Sequence, residues 1–95
     1  MEDHEAFGTV LRRFRKQRKL AQEAFDTVSS RTYLSALERG LKNPTIDKVG
    51  QLAAVLEVHP LSLFVATYLE KDKALSLEEL LRQVREEIEA LDKPR

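Results

Sequence analysis

Phe7, Val10, Leu11 and Phe14 stand at the i, i+3, i+4, i+7 spacing of one helical face, with arginines and lysines elsewhere. They predict an amphipathic helix from about Glu5 to Lys19. A short polar helix opens near Gln22, the stretch DTVSS interrupts it, and Ser30 offers an N-cap for a third helix that ends at Gly40. LKNPT reads as a loop around Pro44, after which Thr45 caps a fourth helix with Ile46, Val49, Leu52, Ala53 and Leu56 in period. His59 and Pro60 open a fifth helix, with Leu61, Phe64 and Val65 placed to pack inward and EKDKA as a polar connector behind it. In SLEE, Ser76 and Glu79 have capping-box spacing and start a last helix that runs to about Leu91. Along that helix Leu77, Val84 and Leu91 recur every seven residues, as do Leu81 and Ile88, giving an a/d seam about two heptads long.

With no strand pattern and no internal repeat, the expected fold is all-α. A chain of 95 residues with 42% apolar content is long enough for one modest core and too short for two. There is no cysteine, and His4 and His59 are the only histidines, so neither disulfides nor a thiolate metal site is expected, and no cofactor or metal is assigned. His59 reads as a cap before Pro60, and His4 as part of a mobile terminus. No apolar run approaches the roughly 20 residues of a membrane span, and the acidic start MEDHEAFG lacks the basic and apolar regions of a signal peptide. The expected location is the cytoplasm, without a membrane partner.

Charge is unevenly distributed along the chain. The net charge is zero, yet from Gly8 to Pro44 nine basic residues face three acids, while from Thr45 onward ten acids face seven basic residues. A basic half joined to an acidic half can present one anion-binding face without general stickiness.

Two charges sit at the edges of apolar faces: Arg15 lies four residues after Leu11, and Glu38 four after Leu34. They are placed to meet and tie the first helix to the third. A short helix, a tight turn and a second short helix exposing small polar and basic side chains at its start make a helix-turn-helix candidate. Arg31 suits base reading, because a guanidinium can bond guanine twice in the major groove, and Thr32 and Tyr33 can add methyl or hydroxyl contacts. The competing reading is a solvated helix start with the Tyr33 ring folded onto the domain.

From Phe7 to Phe64 the chain resembles the Cro/phage-repressor, or XRE-type, helix-turn-helix family. The matching stretches are RRFRKQRKLAQEAF, SRTYLSALERG, LKNPT and LAAVLEVHPLSLF. The resemblance implies a five-helix repressor-like helix-turn-helix domain, residues 1–69, followed in 70–95 by an additional C-terminal helix. It also implies that Ser30, Arg31 and Thr32 read bases, with Tyr33, Ser35 and Ala36 on the same exposed side. Gln22, Arg39, Lys42 and Asn43 are implied at backbone phosphates, a role that for Gln22 and Asn43 can coexist with capping or turn roles. Arg15 and Glu38 match the family's structural ion pair. Three departures stand out: the segment between Gln22 and Glu38 is shorter than the family pattern, FDTVSS has no turn glycine, and Ala21 replaces a polar cap. They predict a shortened second helix or an altered bend.

Most of RRFRKQRK reads as the wet face of its helix, with one or two members at phosphate. Leu77, Leu81, Val84, Ile88 and Leu91 either fold back as core or pair with a second chain, and dimerisation is favoured because one half-site alone binds weakly. No partnered nucleophile, metal-ligand cluster or phosphate-cradling glycine loop suggests an enzyme. The expected function is sequence-specific binding of double-stranded DNA by a homodimeric transcriptional regulator, most simply a repressor on a pseudo-palindromic operator. The alternative is a protein-interaction module on the same fold, with DNA affinity lost or incidental and a protein partner at the C-terminal helix.

Overall fold

The computed structural model describes residues 1–94. Five α-helices and two short 3-10 turns follow in the order α1 (Asp3–Gln17), a turn at Gln22–Phe25, α2 (Arg31–Glu38), α3 (Ile46–Leu56), α4 (Pro60–Lys71), α5 (Leu77–Glu89) and a last turn at Ala90–Asp92. The described residues contain no strand. The all-α, five-helix arrangement with an added C-terminal helix is the one expected, with the second helix reduced to a single 3-10 turn.

Local chemistry sets the boundaries. The Ser30 hydroxyl accepts the Tyr33 N–H at 3.1 Å, Thr45 accepts that of Lys48 at 3.0 Å, and His59 Nδ1 accepts that of Leu61 at 2.9 Å. Ser76 and Glu79 form the reciprocal capping box at 3.1 and 3.3 Å. α1 ends without glycine: Lys19 adopts the left-handed conformation, φ 57°, and the Leu20 N–H closes on the Arg15 carbonyl at 3.0 Å. Gly40, φ 73°, ends α2 in the same way, with the Leu41 N–H on the Ala36 carbonyl at 2.9 Å. His4, read as terminal and mobile, is half-buried in the first turn of α1.

One core unites these elements. Phe7, Val10 and Leu11 of α1 meet Phe25 of the 3-10 turn, Leu34 and Leu37 of α2, Val49, Leu52, Ala53 and Leu56 of α3, and Leu63 of α4. α1 lies along α4 and crosses α2, where Gly8 lets the backbones touch. Two inward assignments are corrected. Ile46 is 80% exposed, because as the first residue of α3 it precedes the turn that the core covers, and Leu61 at the start of α4 is 49% exposed while Leu63 takes the buried place.

The bend between the 3-10 turn and α2 is made without glycine. The N–H groups of Val28 and Ser29 both close on the Phe25 carbonyl at 2.9 Å. The Val28 carbonyl accepts the ammonium of Lys48 from α3, which also stands 5.7 Å from the Tyr33 ring centroid. A cation from the neighbouring helix thus secures the turn and the first turn of α2 together.

α4 continues through Lys71, past the expected boundary at residue 69. α5 has no buried residue and leans on α4 through half-buried Leu80 and Val84, beside Phe64 and Val65. Leu77, Leu81, Ile88 and Leu91 are 49%, 43%, 58% and 81% exposed. The stripe therefore divides, with Val84 turned to the domain and the other four seam residues largely in solvent.

Candidate nucleic-acid interface

Arg15 and Glu38 form the joint on which the recognition surface stands. Arg15 Nε and Nη2 donate to the two Glu38 oxygens at 2.6 and 2.9 Å, and Nη1 donates to the Leu20 carbonyl at 3.0 Å. Their side chains are 12% and 5% exposed, and the bonds to Glu38 raise the Arg15 pKa above its ordinary value against the opposing effect of burial. Gln22 adds a bond from its amide to Glu38 at 3.3 Å, so one carboxylate ties α1, the 3-10 turn and α2 together.

This joint presents the start of α2 to solvent. Arg31 is its first residue, 61% exposed at the side chain, and Thr32 beside it is exposed. The Ser30 hydroxyl is committed to capping, and the Tyr33 ring is half-buried against the core under Lys48. Ser35 is half-buried. Ala36 is corrected: it is 9% exposed, since the turn after α2 folds back so that Leu41 bonds its carbonyl, and its methyl is too short to emerge.

A polar cleft of about 250 Å³ opens next to this helix, lined by Arg12, Arg15, Gln22, Ser35, Glu38 and Arg39. It gathers Gln22 and Arg39, both expected at phosphate, with Arg12, which the sequence offered only as one member of a charged run. Lys42 is exposed in the following loop. Asn43 is exposed and lines a different cleft, with Asp3, His4, Phe7, Phe64 and Tyr68. The arginines of α1 have separated by helical phase: Arg15 turns to Glu38, Arg12 to the polar cleft, and Arg13 to Glu70 of α4 at 3.6 Å.

Two acids missed by sequence reasoning face the start of α2. Asp26 Oδ1 lies 3.7 Å from Arg31 Nε, and Glu23 Oε1 lies 3.9 Å from Nη1. Their spacing in sequence carries no signal of this, because only the bend brings the 3-10 turn over the start of α2. Among the described residues no group of three or more His, Asp or Glu is placed to hold a metal ion, and no single helix is long and apolar enough to cross a membrane.

A capped recognition helix set behind a short turn, on a three-helix scaffold and beside an arginine-lined cleft, defines a DNA-binding helix-turn-helix domain. The chain belongs to the helix-turn-helix family HTH_3, whose sequence profile matches residues 11–63. It is 36% identical over 69 residues to an HTH-type transcriptional regulator, y4dJ, of Sinorhizobium fredii, a match spanning 70% of this chain and 90% of that relative. Its fold is similar to the restriction-modification controller protein C.AhdI from Aeromonas hydrophila, with a TM-score of 0.61 and 33% identity over 65% of this chain and 97% of the other.

Proposed function

We infer that the protein is a homodimeric, sequence-specific transcriptional regulator of the cytoplasm that represses by occupying a pseudo-palindromic operator. The observation that carries this reading is the exposed start of α2, with Arg31 and Thr32 free of the core beside the cleft of Arg12, Gln22, Ser35 and Arg39. Arg31 bonds a guanine edge and the Thr32 methyl meets a thymine, while Ser30 holds the helix start at the groove. Tyr33 and Ser35 flank these readers. Arg12 and Arg39 grip the backbone together with Gln22, Lys42 and Asn43.

The chain through the end of α4 acts as the reader, and α5 with the turn after it as the dimerisation arm. Support for the second role comes from the exposed Leu77, Leu81, Ile88 and Leu91, which continue into an apolar cleft of about 470 Å³ lined with Leu61, Val65 and Leu69 of α4. Two heptads alone are marginal for helix pairing, and this cleft extends the surface to which a second copy can bind. A two-fold dimer sets half-sites about 10 bp apart or a multiple of that.

The test is selection of bound duplexes from a randomised pool, repeated at two salt concentrations because phosphate contacts make affinity salt-dependent. An enriched inverted repeat is expected. Binding without enrichment, or none by folded protein, would favour an interaction module whose partner sits on α5.

A further inference from the structure

The basic segment from Gly8 to Pro44 contains three acids, Glu23, Asp26 and Glu38. Glu38 is committed to Arg15 inside the protein. The other two both stand at Arg31, 57% and 52% exposed, on a surface otherwise suited to DNA. Full negative charges at such a place oppose the approach of a phosphate backbone, so their convergence on one arginine calls for an explanation.

We propose that Glu23 and Asp26 are positioning residues that reserve Arg31 for a base edge and so determine specificity; this rests on the reading of Arg31 as a base reader given above. At 3.7 and 3.9 Å the contacts exceed hydrogen-bond length, which makes them Coulombic restraints rather than bonds that must be broken. They limit the wandering of a long side chain while its remaining N–H donors stay available to two acceptors. The three groups together carry one net negative charge. Guanine O6 and N7 are neutral acceptors and approach such a cluster without a Coulombic penalty of full charges. A phosphate is repelled by both carboxylates, so the cluster favours a guanine edge over the phosphate contacts that dominate non-specific binding.

The experiment compares Glu23→Gln/Asp26→Asn with the parent protein, each with Arg31 intact and as Arg31→Ala. Affinities are measured for the duplex enriched from the random pool and for a shuffled duplex of equal composition, with thermal melting to verify that all four proteins fold. With Arg31 present, removing the acids is expected to raise affinity for the shuffled duplex by roughly three- to tenfold and for the enriched duplex by less, so their ratio falls. With Arg31→Ala the same removal raises both equally and the ratio stays put. The conservative pair Glu23→Asp/Asp26→Glu restores the parent ratio. If Arg31→Ala alone lowers the ratio but removing the acids does not, the filter is overturned while the reader stands. If Arg31→Ala alone leaves the ratio unchanged, both fall together.

Discussion

Arg15 on α1 and Glu38 at the end of α2 are joined by two hydrogen bonds of 2.6 and 2.9 Å, with both side chains nearly out of solvent. Such a pair matters most when one member is removed, because the other is then left as a buried, uncompensated charge. Glu38→Ala is expected to lower unfolding free energy by about 3–5 kcal/mol, and Arg15→Met/Glu38→Leu by much less. Urea unfolding of the singles and the double measures this. A double variant as unstable as the worse single would show that packing of the two stems, and not their charge, holds the joint.

Three glycines separate close approach from mere flexibility. A Cβ on Gly8 would stand 2.3 Å from the Leu37 carbonyl oxygen, whereas one on Gly50 meets nothing within 4 Å. Gly8→Ala is therefore expected to destabilise by about 2–4 kcal/mol, since overpacking against a backbone outweighs the gain in helix propensity. Gly50→Ala, in the middle of α3, is expected to stabilise by about 0.5–1 kcal/mol. Gly40→Ala costs stability on two counts, a φ of 73° and a Cβ 2.9 Å from the Glu5 Cα. Thermal melts of the three variants should rank Gly50→Ala above the parent and the other two below it.

The features legible in the sequence were those decided within a turn or two of chain. Ser30, Thr45, His59 and Ser76 cap helices because each needs only its own next residues. Arg15 and Glu38 were legible because each follows a core leucine by one helical turn, which fixed the side of the helix they share. Ala36, Ile46 and Leu61 were misjudged because in a short helix or a first turn exposure depends on what neighbouring segments cover. Glu23, Asp26 and Lys48 gain their roles from the bend after Phe25, which brings separate segments against α2 and has no periodicity to reveal it. The family resemblance was carried by local motifs, and it extended to the fold because those motifs include the joint that sets the α1–α2 crossing.

The capping box of α5 is sensitive to acid. Hydrogen bonds from the Ser76 side chain and backbone hold the Glu79 carboxyl below its ordinary value of 4.5. Because the folded-state pKa is the lower one, the stabilisation is complete above about 4.5 and is lost as pH falls through the depressed value. Fraying of α5 from its N-terminus below pH 4.5 is the expected outcome, ahead of the α1–α4 core. Amide exchange of residues 77–80 across that range measures it, with Ser76→Ala expected to show faster exchange already at neutral pH. Equal protection in Ser76→Ala would show that contact with α4, and not the cap, holds this end of α5.

Leu81 and Ile88 are the decisive pair for the arm, since they lie one heptad apart and are 43% and 58% exposed in the single chain. A glutamate at either place puts a charge into the exposed apolar stripe of α5, and neither substitution opens the core. On the proposed dimer, Leu81→Glu/Ile88→Glu is expected to sediment as a folded monomer at concentrations where the parent is expected to pair. Loss of the second tethered reader should then weaken binding to an inverted repeat by about 100-fold or more while leaving single half-site affinity nearly unchanged. The half-site control separates dimer loss from damage to α2, because only the latter lowers both affinities. Persistence of the dimer in the double variant would move the interface away from the α5 stripe.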